Sequence, residues 1–242
     1  MRVRLEVCVG DPDSLFAAIE GGADRIELCS ALELGGLTPT PGLMALAAEA
    51  PVPVYALIRP RSGGFVYSVR ERAAMRADIA AARAAGLAGV VLGASTADGG
   101  LDAQALAELT DASAGLGTTL HRAFDLVPDI AEAVELAVAL GFERILTSGR
   151  APHAIGGLSD LARAHTVAAG RIAIMAGSGL TPDNVGVLLE KVPLREIHGS
   201  CSQTVSPPSP ELAALGFAAG PVRRTSAEEV RRMRKVLGAL SA

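Results

Sequence analysis

The chain has no tryptophan, two tyrosines and five phenylalanines in 242 residues. Half of the residues are apolar, so a core without aromatic bulk must be filled by Ala, Val, Leu and Ile. Lysine is nearly absent. Lys191 and Lys235 both fall in helix-like segments, so a Schiff-base aldolase lacks its nucleophile. Net charge is −4 and no basic stripe is interleaved with aromatics, so no nucleic-acid partner is expected. No apolar run reaches the roughly 18 residues of a membrane span, and no membrane partner is expected. The opening Arg2-Val3-Arg4-Leu5-Glu6 holds no apolar signal-peptide segment. Three cysteines, widely spaced, make no disulfide framework. These absences together point to a cytoplasmic protein with reduced thiols. H-E-x-x-H, P-loop and clustered C-x-x-x-C-x-x-C motifs are also missing.

What the chain does have is a repeated phrase. A helix-like segment ends at Gly, a short turn follows, and an apolar run begins, as at Gly21-Gly22, Gly86, Gly141 and Gly170. Glycine there suits a left-handed helix C-cap. The spacing predicts strands near 3–9, 25–29, 53–58, 88–92, 118–121, 143–147, 171–175 and 195–199. Helices are expected near 12–20, 41–50, 69–85, 102–114, 129–140, 154–168, 182–190 and 226–240. Eight βα units in this length predict a (β/α)8 TIM barrel, one domain over 1–242. The missing G-x-G-x-x-G after the first strand weakens an open doubly wound sheet. A Pro-rich linker, Thr204 through Pro221, is expected to run extended between strand eight and the last helix.

The first two strands are near-copies: Leu5-Glu6-Val7-Cys8 and Ile26-Glu27-Leu28-Cys29. Residues i and i+2 of a strand share a face. In such barrels the working rim lies at the C-terminal strand ends. Glu6, Cys8, Glu27, Cys29, Arg59 and Arg61 arrive there, as do His121, Arg122, Asp125, Ser148, His198 and Cys201. Buried charges of this kind need partners, and Arg59 and Arg122 are candidates to neutralise Glu6 and Glu27. Cys8 and Cys29 have a plain reading as small buried hydrophobes. Their sharper reading is a soft-metal site, two thiolates favouring Cu(I) over Mg or Ca. Strand eight lies beside strand one, so Cys201 could approach the same sector. Gly177-Ser178-Gly179 opens a helix and could hold an anion, or it is only a tight turn. Arg59 and Arg61 could clamp a carboxylate or phosphate. Glu27 or His121 could move protons.

Long stretches resemble the CutC family, described as copper homeostasis proteins. The resemblance rests on Leu5–Cys8, Gly21–Pro39, Val54–Gly63, His121–Asp125, Arg144–Gly149 and Ile174–Gly177. It implies a TIM-barrel-like fold, a cytoplasmic location and homodimers or higher homo-oligomers. It also implies Cu(I) as the bound ion, with Cys8 and Cys29 in the positions proposed as its ligands. Cys201 stands where that family usually has a small residue. Two functions are therefore expected: Cu(I) handling through the rim cysteines, or an enzyme acting on a small phosphorylated or carboxylated substrate. In the enzyme, Arg59, Arg61, Arg122, Gly177, Ser178 and Gly179 bind the anionic ligand and Glu27 and His121 do acid/base work.

Overall fold

The computed structural model describes residues 2–206, 209–215 and 221–240. Eight strands form the centre: β1 (Arg4–Val9), β2 (Arg25–Leu28), β3 (Val54–Leu57), β4 (Gly89–Leu92), β5 (Gly117–Leu120), β6 (Arg144–Thr147), β7 (Ala173–Ala176) and β8 (Glu196–Gly199). Each pairs in parallel with the next, and β8 returns to β1, closing the barrel. The helices between them are α1 (Pro12–Gly21), α2 (Pro41–Ala47), α3 (Val69–Ala84), α4 (Ala103–Ala112), α5 (Ile130–Ala139), α6 (Leu158–Ala168) and α7 (Val185–Lys191). After β8 come β9 (Ser202–Ser206), α8 (Pro210–Ala214), β10 (Val222–Thr225) and α9 (Ala227–Ala239). All eight expected barrel strands are present, and the (β/α)8 barrel is the fold.

Helix starts follow the local chemistry. Asp11 caps α1 by accepting from the Ser14 amide, with Pro12 in the first turn. Ser68 and Glu71 form a capping box on α3. Three boundaries differ from the sequence expectation. The helix expected from 154 begins as a 3-10 turn, Ala154–Gly157, and becomes α-helical only at Leu158. Gly156-Gly157 disfavours the helix, and the backbone of Gly157 packs closely on Gly149. The helix expected from 182 starts at Val185, because the Asn184 side chain accepts from the Thr181 amide and donates to the Gly179 carbonyl. The linker is not simply extended. β9 and β10 pair as an antiparallel two-stranded sheet, β-branched Thr204, Val205, Val222 and Thr225 suiting strands. Its Pro207, Pro208 and Gly220 lie outside the described residues.

Most apolar side chains pack between the strands and the helical shell. The barrel interior is unlike that shell. Tyr55 fills its lower end, its hydroxyl donating to Glu143 at 2.9 Å. Gly89 and Gly117 make room: a Cβ at either position would overlap the Tyr55 side chain. Gly89→Ala should therefore cost about 1–3 kcal/mol by overpacking, read from urea unfolding. A neutral result would mean that Tyr55 is free to move.

Candidate metal centre and cavity

Beside Tyr55 lies a buried ion network. Arg25 donates through Nε to Glu6 and through Nη2 to Glu196 at 2.5 Å. Arg144 reaches the same Glu196 oxygen at 3.1 Å and Thr119 Oγ1 at 2.9 Å. Arg25, not Arg59 or Arg122, is thus the cation that neutralises Glu6. Burial works to raise the Glu6 pKa, but Arg25 and His198 outweigh it and hold the carboxyl at about 2.

The next layer toward the strand C-termini is built on Glu6. His198 Nδ1 lies 2.8 Å from Glu6 Oε1, which fixes the ring. Its Nε2 lies 3.7 Å from Glu27 Oε2. The register sets Cys8 opposite Glu27 across β1 and β2. The Cys8 sulfur, one Glu27 oxygen and one His198 nitrogen all lie within 4.8 Å of one another, and all three residues are buried. Burial opposes protonation of His198, yet negative charge at Cys8 and Glu27 keeps its pKa well above the usual value. Burial raises Glu27, and His198 draws it only partly back.

Cys29 stands apart. Its Sγ lies 3.6 Å from Glu27 Oε2, a thiol donating to a carboxylate. Burial and then the Glu27 charge push its pKa well above the ordinary thiol value. Cys201 lines the same cavity and is half-buried; burial and then Cys8 push it up to about 12.

Above this layer opens a cavity of about 700 Å³. Cys8, Glu27, Cys29 and His198 form its floor, while Arg59, His121, Arg122, Ser178 and Gly179 are among its walls. Arg61 is not among the lining residues. It is bound to Glu71 and to the carbonyls of Gly64 and Val66. Arg122 is held by Asp125 at 2.7 Å and Ser148 at 2.8 Å. The Gly177 amide is spent on the Thr147 carbonyl, and the Ser178 hydroxyl on the Pro152 carbonyl.

His121 accepts from the Ala123 amide at Nδ1, so its neutral form carries the proton on Nε2. Burial, then the Arg59 charge, hold its pKa at about 3. At neutral pH it is a hydrogen-bond donor. The folded state therefore binds fewer protons at His121 than the unfolded chain below pH 6.5. Its contribution to stability is complete above pH 6.5 and lost as pH falls toward 3. We expect the melting-temperature difference between wild type and His121→Asn to shrink over that window. A difference that grows on acidification would contradict the assignment.

The family model for the CutC family matches residues 3–203. The chain belongs to the CutC family. A CutC family protein of Sinorhizobium medicae is 58% identical over 241 residues, covering 100% of this chain and 98% of that one. One from Caulobacter vibrioides is 54% identical, covering 99% and 98%. A solved structure described as a copper homeostasis protein CutC, from Streptococcus agalactiae, superposes with a TM-score of 0.78. It is 32% identical and covers 82% of this chain and 98% of its own. The CutC family model stops at 203, yet Arg223, Glu229 and Met233 beyond it also line the cavity.

From sequence, His198 is placed at the rim without a role, and Glu196 is missed. A signal existed. Glu196-Ile197-His198 repeats the spacing of Glu6-Val7-Cys8 and Glu27-Leu28-Cys29, and the three segments are neighbours in the order β8, β1, β2.

Proposed function

We propose that this CutC protein binds Cu(I) in the cytoplasm and takes part in copper handling, the ion held by Cys8 with His198 and Glu27. The observation that carries the reading is the convergence of sulfur, imidazole nitrogen and carboxylate within 4.8 Å at a buried floor. Thiolate and imidazole together suit Cu(I) and Zn(II), the ion displacing the proton that the raised pKa leaves on His198; they do not suit Mg or Ca. The copper homeostasis description of the Streptococcus agalactiae relative favours copper. Cys29 acts beside the ion by donating to Glu27. The working form is a homodimer or higher homo-oligomer of one 1–242 domain. Among the described residues no helix is long and apolar enough to cross a membrane. The test is an anaerobic bathocuproine competition on reduced protein, with a parallel Zn(II) titration. One Cu(I) per chain, not displaced by Zn(II), supports the reading. Failure to compete with the chelator overturns it.

A second reading keeps a place because the raised pKa of Glu27 suits a proton carrier at the foot of a cavity. It is an enzyme acting on a small carboxylated or phosphorylated substrate, with Glu27 moving the proton.

A further inference from the structure

Copper needs only the floor. A volume of about 700 Å³ lies in the range of sites for small organic molecules. Much of its wall is apolar, with Leu57, Leu126, Leu146 and Leu180 among the lining residues.

One side of the cavity carries an unexplained charge. Arg59 is buried, at 7% exposure, yet among the described residues it has no carboxylate partner. Its Nη groups donate to the neutral carbonyls of Leu34, Gly36 and Gly63, and the Tyr67 hydroxyl lies beside it. Its Nε has no partner. A buried cation without an anion is costly, so sites of this kind are completed by one. His121, 5% exposed, lines the same wall, and its Nε2 is also without a partner. Phe65 joins the two: its ring lies 5.3 Å from the Arg59 guanidinium carbon and 4.7 Å from the His121 ring. Two further buried hydroxyls lie nearby, outside the cavity lining. Ser95 Oγ sits where the Ser95 amide donates to the Phe65 carbonyl, and the Tyr67 hydroxyl sits in the field of Arg59. The buried side-chain polar atoms without partners among the described residues are these four. Buried polar atoms are seldom left unpaired; of these four residues Arg59 and His121 line the cavity, while Ser95 and Tyr67 do not.

We propose that the β3–β5 wall of the cavity is a binding site for the carboxylate of a small organic acid with an apolar body. Arg59 supplies the charge and His121 Nε2–H a directed donor. A planar carboxylate matches the Arg59 and His121 side-chain donors, and the phenyl phosphate control decides between carboxylate and phosphate. The site lies just beyond the C-terminal ends of β3 and β5, whereas the copper ligands are on β1, β2 and β8, and it stands whether or not copper binds.

The experiment is calorimetric titration of the full chain, free of metal, with isovalerate and phenylacetate. Their neutral amides and phenyl phosphate are the controls. At least one carboxylate should bind with Kd below about 1 mM, and its amide at least about tenfold more weakly, the loss of one charged hydrogen bond. His121→Phe and Arg59→Gln should weaken the carboxylate alone. Arg59→Gln also loosens three loop carbonyls, so the amide comparison serves where that variant misfolds. Equal binding of acid and amide would overturn the proposal. So would tighter binding of phenyl phosphate, or no binding up to about 10 mM, which would leave Arg59 as a loop clamp with ordered water beside it.

Discussion

Cys8→Ser should abolish tight Cu(I) uptake, while Cys29→Ser should keep most of it. The two thiols are near-copies in sequence, but their surroundings differ. Cys8 sits within 4.8 Å of the His198 nitrogen and of a Glu27 oxygen. Cys29 is a fully buried thiol, raised well above the ordinary pKa, whose contact is with Glu27. The group of three ligand atoms that could hold one ion includes the Cys8 sulfur and not that of Cys29. Serine at 29 keeps a donor for Glu27, and serine at 8 removes the sulfur. Outer-shell groups typically contribute 10–100-fold to metal affinity. We expect about 10-fold or less for Cys29→Ser and more than about 100-fold for Cys8→Ser. Bathocuproine competition on the two variants reads both. Equal losses would make the cysteines a ligand pair and remove the distinction.

Arg25→Met should destabilise the protein more than any single loss at its surface. Arg25 bridges Glu6 and Glu196, and the side chains of Arg25 and Glu6 are 6% and 0% exposed. Solvent screening is negligible there. Removing one partner of a buried pair leaves an uncompensated charge and costs about 3–5 kcal/mol. Exposed pairs such as Arg231–Glu20 are each worth about 1 kcal/mol or less. Methionine keeps the length of the stem, so the loss reports charge more than volume. Glu6→Gln in the same background should restore part of it, since the orphaned charge is then gone. Urea unfolding with an unchanged slope checks both. A loss below about 1 kcal/mol would mean that water enters the barrel and screens the network.

The barrel was legible because its signals are local. Gly after α1, α3, α5 and α6, and the apolar runs at a regular spacing, place all eight strands to within a residue or two. Boundaries failed where side chains compete with the backbone, at Asn184, or where a glycine pair serves close packing, at Gly157. The site was half legible. The spacing of Glu6, Cys8, Glu27 and Cys29 pointed to one face of the barrel. Which thiol meets the imidazole depends on the closing of β8 onto β1, a contact spanning 192 positions between His198 and Glu6. The role of Arg59 was legible only as a choice between neutralising the glutamates and binding an anion. The fold decides the first half of that choice, because Arg25 takes Glu6 and Arg59 is left with carbonyls.

Copper K-edge X-ray absorption of the Cu(I)-loaded protein tests the central claim most directly. One sulfur together with nitrogen or oxygen scatterers, the sulfur lost in Cys8→Ser and kept in Cys29→Ser, is the expected result. Two sulfurs at the metal, or a spectrum unchanged by Cys8→Ser, would contradict a centre built on Cys8, His198 and Glu27.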